Sequence, residues 1–124
     1  MQTFADEIVE RLAAAREIDI ETTGRRSGET RRTTIWVVVD EGVPYVRSEF
    51  GDAGHWYRNA LAEPRLGLIL KGQRLAATAT PVTDPALWRR VSDAFRTKYG
   101  RNSAVGEMGD PAIEPMTLAL APAE

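Results

Sequence analysis

Residues 33–39 read Thr-Thr-Ile-Trp-Val-Val-Val, the strongest strand signal in the chain. β-Branched and aromatic side chains suit extended backbone, and from Ile35 onward both faces of this strand are apolar. A strand of that kind has to be covered on both sides. Asp40-Glu41-Gly42 is a short hairpin connection, and residues 43–47 return antiparallel. Pro44 in the return marks a sheet edge or a bulge.

The flanking segments repeat this grammar. Thr3 and Asp6 approximate a capping box, and Phe4, Ile8 and Leu12 recur every four positions, which predicts a helix over 3–16. Residues 18–22 alternate apolar and polar, as a half-buried strand does. A loop at 48–54 leads to a short helix from His55 to Ala62, stopped by Glu63-Pro64. A second hairpin runs over 66–71 and 75–82 about a turn at Gly72-Gln73. Asp84 caps and Pro85 opens a helix reaching Tyr99, with Leu87, Val91 and Phe95 on its apolar face. A glycine-rich loop follows, and 116–121 supplies a closing strand. Six strands joined mostly by tight turns predict a mainly β domain with α-helices, a six-stranded antiparallel barrel flanked by helices, with residues 1–124 forming one domain whose barrel occupies 17–82.

Composition narrows the chemistry. A formal charge of −2 provides no global attraction to nucleic acid or membrane. Absence of cysteine removes disulfides, thiolate metal sites and a cysteine nucleophile. With a single histidine, His55, no metal site is expected, and that residue reads as a helix start or a ring beside Trp56. No nucleophile elbow, Walker motif or dinucleotide fingerprint is present. The acidic N-terminus and the lack of an apolar run near ~20 residues predict a soluble, cytoplasmic chain.

Against this acidic background, Arg25, Arg26, Arg31 and Arg32 flank a Ser27-Gly28 turn with only Glu29 opposing them. Guanidinium forks match carboxylate and phosphate oxygens, and Gly24 and Gly28 let backbone approach an anion. Thr22, Thr23, Ser27, Thr30 and Thr33 add neutral donors. The competing reading is a solvated hairpin whose arginines pair with surface carboxylates.

"TTGRRSGETRRTTIW", followed by "GHWYRNALAEPRLGLILKGQRLAATATPV", resembles the deazaflavin (F420)-dependent nitroreductase family over residues 18–82. That resemblance implies the split β-barrel shared with pyridoxamine-phosphate-oxidase-like FMN-binding proteins, a homodimer, and the anionic coenzyme F420. It also implies that Arg25, Arg26, Ser27, Gly28, Arg31 and Arg32 hold anionic groups. Backbone from Thr33 through Thr34 and Ile35 to Trp36 would lie along the ring, with Trp56 and Asn59 shaping the neighbouring wall. The implied activity is hydride transfer to a quinone-like, nitroaromatic or other unsaturated small molecule, with no catalytic side chain identified. Two alternatives stand beside it: the same fold holding FMN or haem, and a non-catalytic module for an anionic small molecule. Nucleic-acid binding is disfavoured by the net charge.

Overall fold

Only Trp36 and Val37 separate two strands that lie at opposite edges of one sheet, and this link dictates the architecture. The computed structural model describes residues 2–49, 54–100 and 108–123. Its strands are β1 (Ile18–Thr23), β2 (Thr30–Ile35), β3 (Val38–Asp40), β4 (Val43–Arg47), β5 (Arg65–Leu70), β6 (Gln73–Pro81) and β7 (Thr117–Pro122). They form a seven-stranded antiparallel sheet in the order β2-β1-β5-β6-β7-β4-β3. A residue advances the chain by under ~4 Å, whereas seven strands laid flat at ~4.8 Å spacing would hold β2 and β3 far apart. The sheet therefore curls into a half-barrel whose edges meet at Trp36–Val37.

Sequence reading expected six strands, and the extra one comes from this junction. The apolar run 33–39 does not continue as a single strand. Trp36 stacks on Tyr99 at 3.9 Å and 6°, and Val37 is fully buried in the barrel. Val37 gives its backbone groups to side chains: the carbonyl accepts from Lys98 Nζ at 2.6 Å and Tyr99 Oη at 3.2 Å, and the N–H donates to Tyr99 Oη at 3.4 Å. With those groups diverted, strand pairing stops and resumes at Val38.

Both hairpins turn on paired positive φ values, Glu41 (48°) with Gly42 (79°) and Lys71 (49°) with Gly72 (82°), which matches the right-handed twist of the strands they join. The second turn sits one residue before the expected Gly72-Gln73, because Gln73 already pairs with Leu70. Pro44 lies on an interior strand, yet β7 pairs with β4 only from Tyr45 onward, so the missing N–H of Pro44 costs no ladder bond there.

Helix α1 (Asp6–Ala14) begins after Ala5 with no side-chain cap, so the expected Thr3–Asp6 capping box is not formed. Phe4, Ile8 and Leu12 still join the barrel core with Ile18, Ile20, Val46 and Leu68. Helix α2 (His55–Ala62) packs Trp56, Tyr57 and Ala60 into the same core. Helix α3 (Pro85–Tyr99) covers the outer face of β3 and β4, where Val91, Phe95 and Tyr99 meet Val38, Tyr45 and Ile113. Burying each such side chain stabilises the fold by roughly 1.5–3 kcal/mol. A 3₁₀ helix, Pro111–Met116, takes the expected first residue of the closing strand, which starts at Thr117. The middle of the expected 48–54 loop (50–53) and most of the expected glycine-rich loop (101–107) lie outside the described residues. Among the described residues no helix is long and apolar enough to cross a membrane.

Candidate functional site

Antiparallel pairing separates the four arginines that the sequence clusters. In β1, Ile18, Ile20 and Thr22 face the buried side, and β2 places Ile35, Thr33 and Arg31 opposite them. Arg32 and Thr34 therefore project outward, where both engage Asp19: Arg32 Nε donates to Oδ2 at 2.8 Å and Thr34 Oγ1 to Oδ1 at 2.6 Å. These two bonds, Thr34 first, hold the Asp19 carboxyl below the ordinary aspartate range. Glu29 is thus not the sole acid beside the cluster. Glu29 itself meets Arg31 at 3.7 Å, with both side chains largely exposed.

The turn between β1 and β2 closes on itself. Gly24 N–H donates to Glu29 O at 2.7 Å, Gly28 N–H to Gly24 O at 2.8 Å, and Glu29 N–H to Ser27 Oγ at 3.1 Å. A Cβ at Gly24 would come within 2.5 Å of Ser27 Oγ and displace that hydroxyl, while Gly28, with a φ of +72°, is required by the loop itself. Arg25 is fastened to α2, where buried Asn59 accepts from its N–H at 3.1 Å and its Nη1 at 2.8 Å. That partner is neutral. Burial, then Arg58 and Arg26, push the Arg25 guanidinium below the usual arginine value. Among the described residues Arg26 has no hydrogen-bond or ion-pair partner.

Two concavities result. The first, about 720 Å³, is lined by Arg25, Arg26, Ser27, Arg31, Arg32 and Asn59, together with Gly24, Thr30, Thr33, His55 and Trp56. The second, about 640 Å³, is walled by Thr34, Ile35, Trp36, Trp56 and Met108, with Glu17, Arg47 and Glu49 also at its surface. Thr33, His55 and Trp56 belong to both. Of the expected ligand and wall residues the structure brings all but Gly28 to one chamber or the other, and of the expected neutral donors all but Thr22 and Thr23. Thr22 is buried, its Oγ1 without a hydrogen-bond partner among the described residues.

Glu17, Arg47 and Met108 reach the second chamber from distant segments and carry no signal in the sequence, while Glu49, an acid of the loop before Trp56, and His55 also line it although neither is an expected ligand. Arg47 is 1% exposed. It donates to Thr117 Oγ1 (2.9 Å), Ser92 Oγ (2.8 Å), Met108 O (2.7 Å) and Trp88 O (2.9 Å). Burial brings its pKa down to about 10, against the opposing pull of Glu114, whose carboxylate accepts from Ser92 Oγ at 2.8 Å.

The profile of a family described as "Uncharacterized protein conserved in bacteria (DUF2255)" matches residues 8–120. The chain belongs to this family. Comparison with curated proteins finds no match for the DUF2255 chain. Its fold recurs in solved structures. HutZ, the heme storage protein from Vibrio cholerae, superposes with a TM-score of 0.72 at 16% identity, covering 99% of this chain and 92% of the other. An F420-H2 dependent reductase, FDR-A, gives 0.61 at 21% identity over 85% and 92%. A provisionally assigned pyridoxamine 5′-phosphate oxidase from Listeria innocua gives 0.69 at 10% identity over 96% and 93%. At such identities the likeness establishes the fold alone, a curled antiparallel half-barrel flanked by helices, for this DUF2255 member.

Proposed function

We propose that the two chambers together bind one anionic, ring-bearing coenzyme, and that the protein is a deazaflavin-dependent oxidoreductase acting on an unsaturated small molecule. The observation carrying this reading is that a basic chamber and an aromatic one share Thr33, His55 and Trp56, so a single ligand can occupy both. The donor set fits such a molecule. Arg25, Arg26 and Arg31 offer charged forks for phosphate or carboxylate oxygens, while Ile35, Trp36, Trp56 and Met108 offer a wall for a flat ring. One face of the Trp36 indole is taken by Tyr99, which holds the other in a fixed plane. A reduced deazaflavin bound there would supply hydride. The chain's part is to anchor the anionic end, orient the ring and keep water from it. The fold relationship to an F420-H2 dependent reductase supports this choice of coenzyme.

A second reading, the same site holding haem or FMN, is favoured by the fold relationship to HutZ and to the oxidase-like protein. Titrating the purified protein with F420, FMN and haemin, followed by fluorescence or absorbance, separates them. Saturable F420 binding, then oxidation of reduced F420 by quinones or nitroaromatics, is the expected result. Tight FMN or haem binding without F420 binding would overturn the first reading, and binding without turnover on any acceptor would leave a non-catalytic module. We also propose a homodimer: β2 pairs only with β1 among the described residues, leaving its other edge for a second copy.

A further inference from the structure

We propose that His55 is a proton-linked ligand for the anion held in the arginine chamber, taking up a proton as the anion docks. This rests on the anion-binding reading above and adds a dependence that reading does not require.

Of the three residues shared by the two chambers, Thr33 and Trp56 are neutral at every ordinary pH, and only His55 can change its charge near neutrality. His55 is exposed, and among the described residues it has no hydrogen-bond or ion-pair partner, so both ring nitrogens are available. Placed in the same concavity as Arg25, Arg26, Arg31 and Arg32, its imidazolium is a fifth cation that exists only when protonated. An anion seated among these groups favours the charged imidazole, and by linkage the charged imidazole tightens the anion.

The surrounding charges are mixed. Facing His55 are Arg25 and Arg26 from the turn after β1, Arg31 and Arg32 from β2, Arg47 from β4, and Glu17 and Glu49 across the second chamber. On its own helix the first turn carries no acid, and Arg58 follows one turn later. Four of the five arginines in the chambers are unable to report on pH, and the fifth, Arg47, is committed to buried acceptors. Of the group types lining the chambers only an imidazole ordinarily changes charge between pH 5 and 8, so near neutrality the proton that accompanies the anion goes to His55.

The probe is 1-naphthyl sulfate, whose charge is constant over the range tested, so any pH dependence belongs to the protein. Calorimetric titration of the full chain at pH 5.5, 6.5 and 7.5, in buffers of differing ionisation enthalpy, gives affinity and protons taken up together. The wild-type chain is expected to lose roughly tenfold in affinity from pH 5.5 to 7.5 and to take up a fraction of a proton near the midpoint. His55→Gln should bind with flat pH dependence and no uptake, and His55→Lys should bind tightly and flatly. Arg26→Ala should bind more weakly at each pH yet keep the slope. Because the chain holds one histidine, its imidazole Hε1 gives a single NMR signal, whose midpoint should rise when the probe saturates the protein. Binding with no slope in the wild-type chain, or a slope that survives in His55→Gln, overturns the role of His55 and leaves the anion site standing. Failure of the probe to bind at any pH overturns the anion reading and this inference with it.

Discussion

Asn59 Oδ1 holds Arg25 at two points, accepting from its backbone N–H at 3.1 Å and from Nη1 at 2.8 Å. One neutral, buried side chain on α2 thereby fixes both the turn after β1 and the direction of a cation, without neutralising it. Two substitutions separate those effects. Asn59→Ala frees the turn and the guanidinium, and should weaken binding of a sulfate or phosphate ester by roughly tenfold while lowering the melting temperature. Asn59→Asp keeps both acceptor contacts but supplies a counter-charge, so it should preserve the melting temperature better and still weaken the anion. Equal anion affinity in all three proteins would show that Arg25 is not a ligand.

The split of the arginines across β2 gives an order of effects. Arg31 is on the chamber side and its ion pair to Glu29 is long and exposed, so Arg31→Ala should cost anion affinity roughly 1.5–3 kcal/mol through loss of a charge-assisted bond. Arg32, at the rim of the same chamber, is bound to Asp19 on the outer face. Arg32→Ala should therefore change affinity by less than about threefold, in the range of an exposed ion pair. Titrating both variants with the same probe tests the order, and a larger loss for Arg32→Ala would mean that it leaves Asp19 for the ligand.

How much of this was readable beforehand depends on how local each signal is. Asp84-Pro85 announces α3, and Asp84 does cap Ala86 N–H at 3.0 Å. Asp110-Pro111 uses the same device, Asp110 capping Ala112 N–H at 2.9 Å, but it opens only a short 3₁₀ helix with no apolar periodicity to mark it. Thr30, Arg31 and Arg32 carry no strand signal in the sequence because an edge strand exposed on both faces shows no alternation. The opposite orientations of the two arginines are therefore invisible in the sequence. The break at Trp36–Val37 depends on Lys98 and Tyr99, some sixty residues away, and the second chamber on segments equally scattered. Neither leaves a mark in any short window.

Arg47 anchors α3 from beneath. Its contacts run to Trp88 O and Ser92 on that helix, to Thr117 on β7 and to Met108 O, and its guanidinium lies 5.4 Å from the Phe95 ring centre. Arg47→Ala should destabilise the protein by roughly 2–4 kcal/mol, because it opens a void and strands buried acceptors at once. Arg47→Lys should recover less than half of that, since an ammonium cannot reproduce the fork. Urea midpoints measure both. An unchanged midpoint for Arg47→Ala would remove this network from the account of how α3 is held.

Lys98 and Tyr99 sit side by side at the barrel seam and should shape alkaline stability in opposite directions. Burial lowers the Lys98 pKa to about 8, although Nζ donates to Leu12 O at 3.2 Å and Val37 O at 2.6 Å. Since the unfolded chain protonates this group up to about 10.5, the unfolded state holds the extra proton between those values, and stability rises with pH from 8 towards 10.5. Solvent reaching the half-buried side chain limits the gain to something on the order of 1–2 kcal/mol. Burial lifts Tyr99 to about 12, so the neutral phenol contributes stability that is complete below about 10 and lost on the way to 12. Tyr45, raised by burial as well, adds to that fall. The wild-type protein should thus reach an alkaline stability maximum near pH 10. Lys98→Met should flatten the rise below it and Tyr99→Phe should soften the decline above it. Urea unfolding at half-unit pH steps reads both limbs; a wild-type curve that only falls above pH 8 would mean that Lys98 keeps its proton in the fold.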